Sequence, residues 1–208
     1  MENENYLKDI QDIKVMMSKS SQFLSLSGLS GILAGIFALI GAYFANRVLT
    51  TMTIEEFDEY RNYSSEDSTV IKLIGIAILV IVASIIIGII LSSRKAKKQN
   101  ENLWNETSKR VLIQFGTPLI TGGIFALLIL QKEIYILIAP ITLLFYGLSC
   151  INASRNTFRD IKYLGITMVV LGLLSAYFSG YGLLFWTIGF GFCHIIYGSI
   201  MYFKYDRN

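Results

Sequence analysis

Charged residues are scarce in this chain, and long stretches of it have none. Aspartate, glutamate, lysine and arginine together make up 16% of the 208 residues, whereas a soluble domain carries about a quarter. The charges are confined to a few short segments, and the segments between them are almost entirely apolar. This distribution excludes an ordinary soluble domain and is typical of a protein that crosses a membrane several times.

Residues that build common catalytic and metal sites are also few. The chain has one histidine, and its two cysteines, Cys150 and Cys193, lie in apolar runs where a thiol packs as a small hydrophobe. The sequence contains neither the ligand spacing of a zinc site nor a phosphate-binding loop. Its net charge of +3 is too small to indicate a nucleic-acid partner. We therefore predict no metal, no cofactor and no catalytic residue.

Six apolar runs predict six transmembrane helices, at residues 23–45, 70–92, 111–130, 134–151, 163–179 and 182–203. About 20 helical residues match a hydrocarbon core of about 30 Å. Open strands would leave backbone groups unpaired in lipid, so the predicted fold class is all-α. Similar stretches at residues 34–39, 122–127 and 171–176 further predict that the domain of residues 23–203 consists of three consecutive helical hairpins.

The basic residues predict an orientation in the membrane. Lysine and arginine collect in short loops on the cytoplasmic side. Segments that would share one side carry fourteen of the 18 basic residues, and the other side has only Arg47, Arg61, Lys72 and Lys132. Both termini are thus predicted to be cytoplasmic, in a multi-pass protein of the plasma or inner membrane.

The segments outside the spans differ in composition. Residues 1–22 place Tyr6, Ile10, Ile13 and Met17 on one helical face, which predicts an amphipathic helix on the cytoplasmic membrane surface. The outer loop of residues 47–69 is acidic, whereas the cytoplasmic loop of residues 93–110 is basic, and residues 204–208 are predicted to form a cytoplasmic tail. Four residues of the basic loop are predicted to contact anionic lipid head groups: Arg94, Lys95, Lys97 and Lys98.

Small residues at a spacing of four predict close helix contacts. The first span has Ser27, Gly31 and Gly35, and the second has Ser84 and Gly88. Small side chains let helix backbones approach closely in lipid. We predict that these positions pack inside the bundle, with a homo-oligomer contact as the alternative.

Polar side chains inside the spans predict the wall of a ligand site. His194 shares a helical face with Thr187, and ionisable groups within a membrane often have a function. Pro118 and Pro140 interrupt two neighbouring spans, where each proline frees a carbonyl group. The predicted ligand-binding residues are His194, Thr187, Gln114, Thr121 and Thr142, with a purely structural role for the histidine as the alternative.

Ser30, a serine near glycines on the first span, raises the question of an intramembrane protease of the rhomboid type. Such a protease would pair the serine with a histidine on a late helix, and His194 occupies that position in the chain. However, the serine lies on the first span and no second histidine is present. An intramembrane enzyme is therefore only a minor alternative.

These observations leave three functional hypotheses. The first is a carrier, channel or binding protein for a small or lipid-like molecule. The second is a regulator or assembly partner that acts through the helix of residues 1–22, and the third is the intramembrane enzyme. No aspartate or glutamate lies inside an apolar run, which argues against proton-coupled carriage.

Overall fold

A computed structural model describes residues 26–55, 65–98 and 104–207, and within these ranges all side chains except those of residues 52–55 and 65–68. The predicted helix of residues 1–22 lies outside the described residues. So do the middle of the acidic loop and residues 99–103 of the basic loop.

The described chain forms six long helices. They are α1 (Gly28–Glu55), α2 (Ser65–Lys98), α3 (Glu106–Gln131), α4 (Ile138–Ala153), α5 (Asp160–Tyr177) and α6 (Gly182–Asp206). A 3₁₀ turn, Tyr135–Leu137, precedes α4, and α6 contains two π-helical segments, Thr187–Cys193 and Tyr202–Asp206. The described residues contain no strand, which confirms the all-α prediction. All six helices are long and apolar enough to cross a membrane.

Several helices continue beyond the apolar runs. Helix α2 extends through Lys98, and α3 begins at Glu106, several residues before its apolar run. At the start of α3 the Asn105 side chain accepts a hydrogen bond from the Ser108 backbone N–H, and the Ser108 hydroxyl oxygen accepts one from the Asn105 N–H. Because a cap and not hydropathy sets a helix end, the observed helices include polar turns that the apolar runs omit.

The closest helix contacts join α4 to α5 and α1 to α6 through glycine. Gly147 and Gly165 face one another so closely that a Cβ on either would lie 2.7 Å from the other's carbonyl oxygen. A Cβ on Gly35 would likewise lie 2.7 Å from the carbonyl oxygen of Gly191. Backbones at this distance gain dispersion energy, which is a main source of helix association in lipid.

A hydrophobic core lies among α4, α5 and α6. Leu143 and Met168 are fully buried, and Leu164 and Met201 are nearly so. Cys150 is also buried in this core, as expected for a thiol that serves as a packing group.

Helices α2 and α3 lie at the periphery. Helix α2 packs mainly on α1, where Gly41 faces the side chain of Val80, and α3 packs mainly on α4, where Gly122 faces the ring of Phe145. The outer faces of both helices expose large apolar side chains, among them Ile78, Leu79, Ile85, Leu112, Ile113 and Ile120. Such faces suit contact with lipid.

The packing positions predicted from small residues divide between α1 and α2. Gly31 lies against α6, where a Cβ would be 3.2 Å from the Gly198 Cα, and Ser27 is buried. Within the described chain Gly88 has no close contact, because a Cβ there would meet nothing within 4 Å, and the packing of this position stays a prediction. Its neighbour on the stripe, Ser84, is only partly buried. The reason is that α2 approaches α1 through Val80.

The arrangement of hairpins and the orientation in the membrane stay predictions. Two of the most extensive contacts, α4 with α5 and α1 with α6, join helices of different predicted hairpins.

Candidate functional site

A proline in α3 creates the first polar feature inside the bundle. Pro118 has no backbone N–H, so the carbonyl of Gln114, four residues earlier, has no helix donor. The side-chain Nδ2 of Asn152 on α4 donates to this carbonyl oxygen at 2.8 Å. The proline position in α3 is thereby coupled to α4 by one hydrogen bond. Pro140 differs, because it lies in the first turn of α4, where an N–H has no helix partner in any case.

The side chain of Gln114 adds an unsatisfied group. Its Oε1 atom is buried and has no hydrogen-bond donor among the described residues. The next residue, Phe115, places its ring edge against Tyr146 of α4, with 5.7 Å between the ring centroids. An acceptor without a donor thus lies beside an aromatic contact, at the interface of α3 and α4.

His194 is buried and fully hydrogen-bonded. Its Nδ1 lies 3.0 Å from the carbonyl oxygen of Gly189, and its Nε2 lies 2.7 Å from the Tyr146 hydroxyl oxygen. A carbonyl group only accepts, so Nδ1 carries the proton and Nε2 accepts from the tyrosine hydroxyl. This pairing defines a neutral ring with both nitrogens satisfied. It favours the structural role that the sequence left as an alternative.

Aromatic rings surround this pair. The Phe190 ring lies 5.0 Å from that of Tyr146 and stacks on His194 at 5.8 Å, and Trp186 lies 4.9 Å from Phe190. We call these rings and Phe115 the aromatic cluster: Phe115, Tyr146, Trp186, Phe190 and His194. It links α3, α4 and α6 through the π-helical segment of α6, a type of helix often found at functional sites.

The three predicted threonines do not join the aromatic cluster through their hydroxyl groups. Each hydroxyl donates to a carbonyl of its own helix: Thr187 to Leu183, Thr121 to Thr117 and Thr142 to Ala139. Thr121 is also exposed on the outer side of α3. Of the five residues predicted to bind a ligand, Gln114 and His194 are therefore the two that the structure links, through Phe115 and Tyr146. Ligand binding itself stays a prediction.

Ser30 and His194 are not hydrogen-bonded to one another. The Ser30 hydroxyl donates to the Ser27 carbonyl at 2.6 Å, and both ring nitrogens of His194 have the partners given above. A nucleophilic serine needs a base within hydrogen-bond reach. The pair required by the enzyme hypothesis is therefore not formed in this structure.

A second polar centre joins the ends of three helices. The Asp206 carboxylate at the end of α6 accepts from the Lys95 ammonium at 2.7 Å, from the Gly28 N–H at 2.8 Å and from the Ser27 hydroxyl at 3.1 Å. Lys95 also donates to the Leu26 carbonyl at 2.9 Å. We call this group, Leu26, Ser27, Gly28, Lys95 and Asp206, the terminal clamp.

The terminal clamp bears on the lipid contact predicted for Lys95. Lys95 was predicted to contact lipid head groups, but its side chain is 11% exposed and is paired with a carboxylate that is 10% exposed. Its ammonium therefore holds the helix ends together. The other three basic residues of that prediction, Arg94, Lys97 and Lys98, are exposed.

Two residues central to these sites were missed in the sequence. Asp206 lies in a terminal stretch with no motif that would single it out, and Tyr146 lies in an apolar run with several other aromatics. The free carbonyl of Gln114 could have been predicted from the sequence. A proline inside a helix lacks the N–H that would bond the carbonyl four residues earlier. Within the described residues no group of three histidine, cysteine, aspartate or glutamate side chains could hold a metal ion.

No protein-family model, no curated protein and no solved structure matches the chain. The function is therefore inferred from the geometry of its own residues.

Proposed function

We propose that this chain is an integral membrane protein that binds a small, lipid-like molecule at the interface of α3 and α4. The observation that carries the proposal is the buried Gln114 Oε1, which has no donor among the described residues. A buried acceptor without a partner costs about 1–3 kcal/mol. A ligand that brings a hydroxyl or amine to this atom removes that cost.

The surroundings of Gln114 favour a ligand with an apolar body. Helix α3 packs mainly on α4, and its neighbouring positions Leu112 and Ile113 expose their side chains. Gln114 also lies about one helical turn within the predicted apolar run of α3, where a polar head group can still remain close to the membrane interface. A molecule with one acyl chain and a hydroxyl-bearing head group fits both features.

Binding is favoured over proton-coupled carriage. The apolar runs contain no carboxylate, and the single histidine is engaged at both ring nitrogens. In this proposal His194 is a positioning residue, because it holds the Tyr146 hydroxyl and Tyr146 packs against Phe115. Gln114 is the residue that contacts the ligand.

The proposal is tested with two probes that differ in one chemical feature. Monoolein has free hydroxyl groups on a glycerol head, whereas methyl oleate has the same chain and no hydrogen-bond donor. The melting temperature of the purified protein in detergent should rise more with monoolein than with methyl oleate. In Gln114→Leu this difference should disappear, since the acceptor is gone.

Thr117→Val is the matched control, because Thr117 is exposed on the same helix and its hydroxyl donates to the Ile113 carbonyl. This variant should keep the difference between the two probes. Equal shifts with monoolein and methyl oleate in the unchanged protein would reject the proposal. A difference that survives in Gln114→Leu would reject Gln114 as the contact.

The proposed orientation places both termini in the cytoplasm. It rests on the distribution of lysine and arginine along the chain. In intact cells, a membrane-impermeant thiol reagent should label a cysteine introduced at Glu59 and should not label one introduced at Lys98. The native cysteines would first be replaced by serine. The reverse pattern would overturn the orientation.

A second candidate function is that of an assembly partner or regulator acting through residues 1–22. The terminal clamp favours it, because Lys95 and Asp206 bind Leu26, Ser27 and Gly28 and so fix the point at which the preceding residues join the bundle. Proteins that co-purify with the full chain and with Gln114→Leu, but not with a chain lacking residues 1–22, would support this candidate. Loss of the same proteins with Gln114→Leu would count against it.

A further inference from the structure

The last turns of α2 differ from the rest of that helix. Most of α2 exposes apolar side chains, but Ser92 and Ala96 are buried at 6% and 1% exposure, and Lys95 between them belongs to the terminal clamp. The buried residues follow the spacing of one helical face. Arg94, Lys97 and Lys98 are consequently turned outward and exposed.

The segment between α4 and α5 packs against this end of α2. Its residues Thr157 and Phe158 are buried, and the Phe158 ring centroid lies 5.1 Å from the Lys95 Nζ. Two arginines of the same segment, Arg155 and Arg159, are exposed. The contact between Lys95 and Phe158 therefore brings two basic segments, far apart in sequence, to one end of the bundle.

Five exposed basic residues lie at this end of the bundle. None of them forms an ion pair with another described residue. Two described carboxylates close to this end are already engaged, Asp206 by Lys95 and Asp160 by Lys204 at 2.9 Å and by the Tyr205 hydroxyl at 2.7 Å. Within the described residues, the surface thus has an excess of positive charge that no carboxylate neutralises.

We propose that this surface binds the phosphate groups of anionic membrane lipids. We call it the basic surface and define it by Arg94, Lys97 and Lys98 of α2 together with Arg155 and Arg159 of the α4–α5 segment. Lipid is the partner that fits, because the surface lies at the ends of helices apolar enough to cross a membrane, and head groups lie at that level in a bilayer. Clusters of lysine and arginine beside a span are attracted to anionic lipid.

In this proposal the end of α2 and the α4–α5 segment form a single lipid-binding site. Within it, Lys95 is a positioning residue and not a lipid contact. Its contacts with Asp206 and Phe158 position the groups that contact lipid. The basic surface does not include Gln114. The test of lipid binding at this surface is therefore independent of the test of the proposed ligand site.

Native mass spectrometry of the protein released from detergent with added phosphatidylglycerol or phosphatidylcholine tests the inference. Each basic group near a membrane surface contributes about a fivefold increase in affinity for anionic lipid. The double variant Arg155→Gln, Arg159→Gln should therefore lower phosphatidylglycerol affinity by roughly tenfold or more, with little change for phosphatidylcholine. Arg155→Lys, Arg159→Lys keeps the charge and should retain most of the binding.

The matched control is Arg47→Gln, Lys132→Gln, which removes two exposed charges at the opposite end of the helices. It should leave phosphatidylglycerol binding unchanged. Phe158→Leu alters no charge but weakens the contact between the two segments, so it should lower binding of this lipid as well. Unchanged binding in the Arg155, Arg159 glutamine variant would overturn the proposal, and so would an equal loss in the control.

Discussion

Where α1 meets α6, glycine places one backbone directly against another, and a Cβ on Gly35 would lie 2.7 Å from the Gly191 carbonyl oxygen. Where α2 meets α1, the corresponding glycine, Gly41, faces the side chains of Val80 and Ile76, and a Cβ there would meet no backbone atom of α2 within 3.8 Å. Helix α2 is joined to the bundle instead by the Lys95–Asp206 ion pair at its end. Helix α3 is likewise joined to its neighbour by a polar contact, since the Asn152 side chain of α4 donates to the Gln114 carbonyl.

The difference concerns how a helix is held when lipid surrounds it. Apolar side chains gain little by leaving lipid for protein, so they do not by themselves hold a peripheral helix. The central helices gain from backbone proximity. The peripheral helices depend on a few polar contacts, because the loss of such a contact would leave a polar group unpaired. Four substitutions test this comparison.

The largest effect is expected for Lys95→Ala. It leaves the Asp206 carboxylate partly buried without its cation, and removal of one partner from a buried pair typically costs about 3–5 kcal/mol. Chemical or thermal unfolding in detergent should show a loss of this order. Lys97→Ala, an exposed neighbour, should be nearly silent. Equal stability of the two variants would show that the ion pair does not hold α2.

Asn152→Leu tests the contact that holds α3. It leaves the Gln114 carbonyl without a donor, at a cost of about 1–3 kcal/mol. In the Pro118→Ala background the helix can supply its own N–H, so the same change should cost distinctly less. A double-mutant cycle measured by unfolding gives the coupling. Equal costs in both backgrounds would mean that the proline does not create the need for Asn152.

Gly35→Ala tests the central contact. Alanine normally favours a helix over glycine, but here the added Cβ would meet backbone atoms that cannot rotate away. We expect a net loss of about 1–3 kcal/mol in the free energy of unfolding. A gain in stability from this variant would mean that α1 and α6 are not in close contact.

The smallest effect, and one of opposite sign, is expected for Gly88→Ala. A Cβ at Gly88 meets nothing within 4 Å. The variant should therefore gain stability, by up to about 1 kcal/mol, through the better helix propensity of alanine. Comparing its melting temperature with that of Gly35→Ala gives the contrast between centre and periphery. A clear loss would indicate a contact at Gly88, for example with a second copy of the chain.

The role of His194 could not be decided from the sequence. Its place in an apolar run made it a candidate for ligand binding, with a structural role as the alternative. The structure brings Tyr146 from α4 and the Gly189 carbonyl from the π-helical segment to its two nitrogens. Tyr146 was not identifiable as a partner, because residues 48 positions apart become neighbours only when α4 packs beside α6. The Gly189 carbonyl lies five residues before His194, within a π-helical segment that the sequence did not predict.

The sequence by itself determined the class of fold and the number of helices that are long and apolar enough to span a membrane. Runs of about 20 apolar residues have no stable place except in a membrane or a core, and only helices pair all their backbone groups there. It also identified small residues on α1, two prolines in the later spans and a basic end of α2.

Only the tertiary structure decided which of these features are in contact. Gly35 and Gly88 have similar surroundings in the sequence, but one lies against backbone and the other faces open space. Lys95 and Lys97 belong to one basic run, but only Lys95 reaches Asp206. In lipid, an apolar helix has no strong preference for which face it buries. The choice is therefore made by close backbone contacts and by individual polar pairs, which exist only once the helices have assembled.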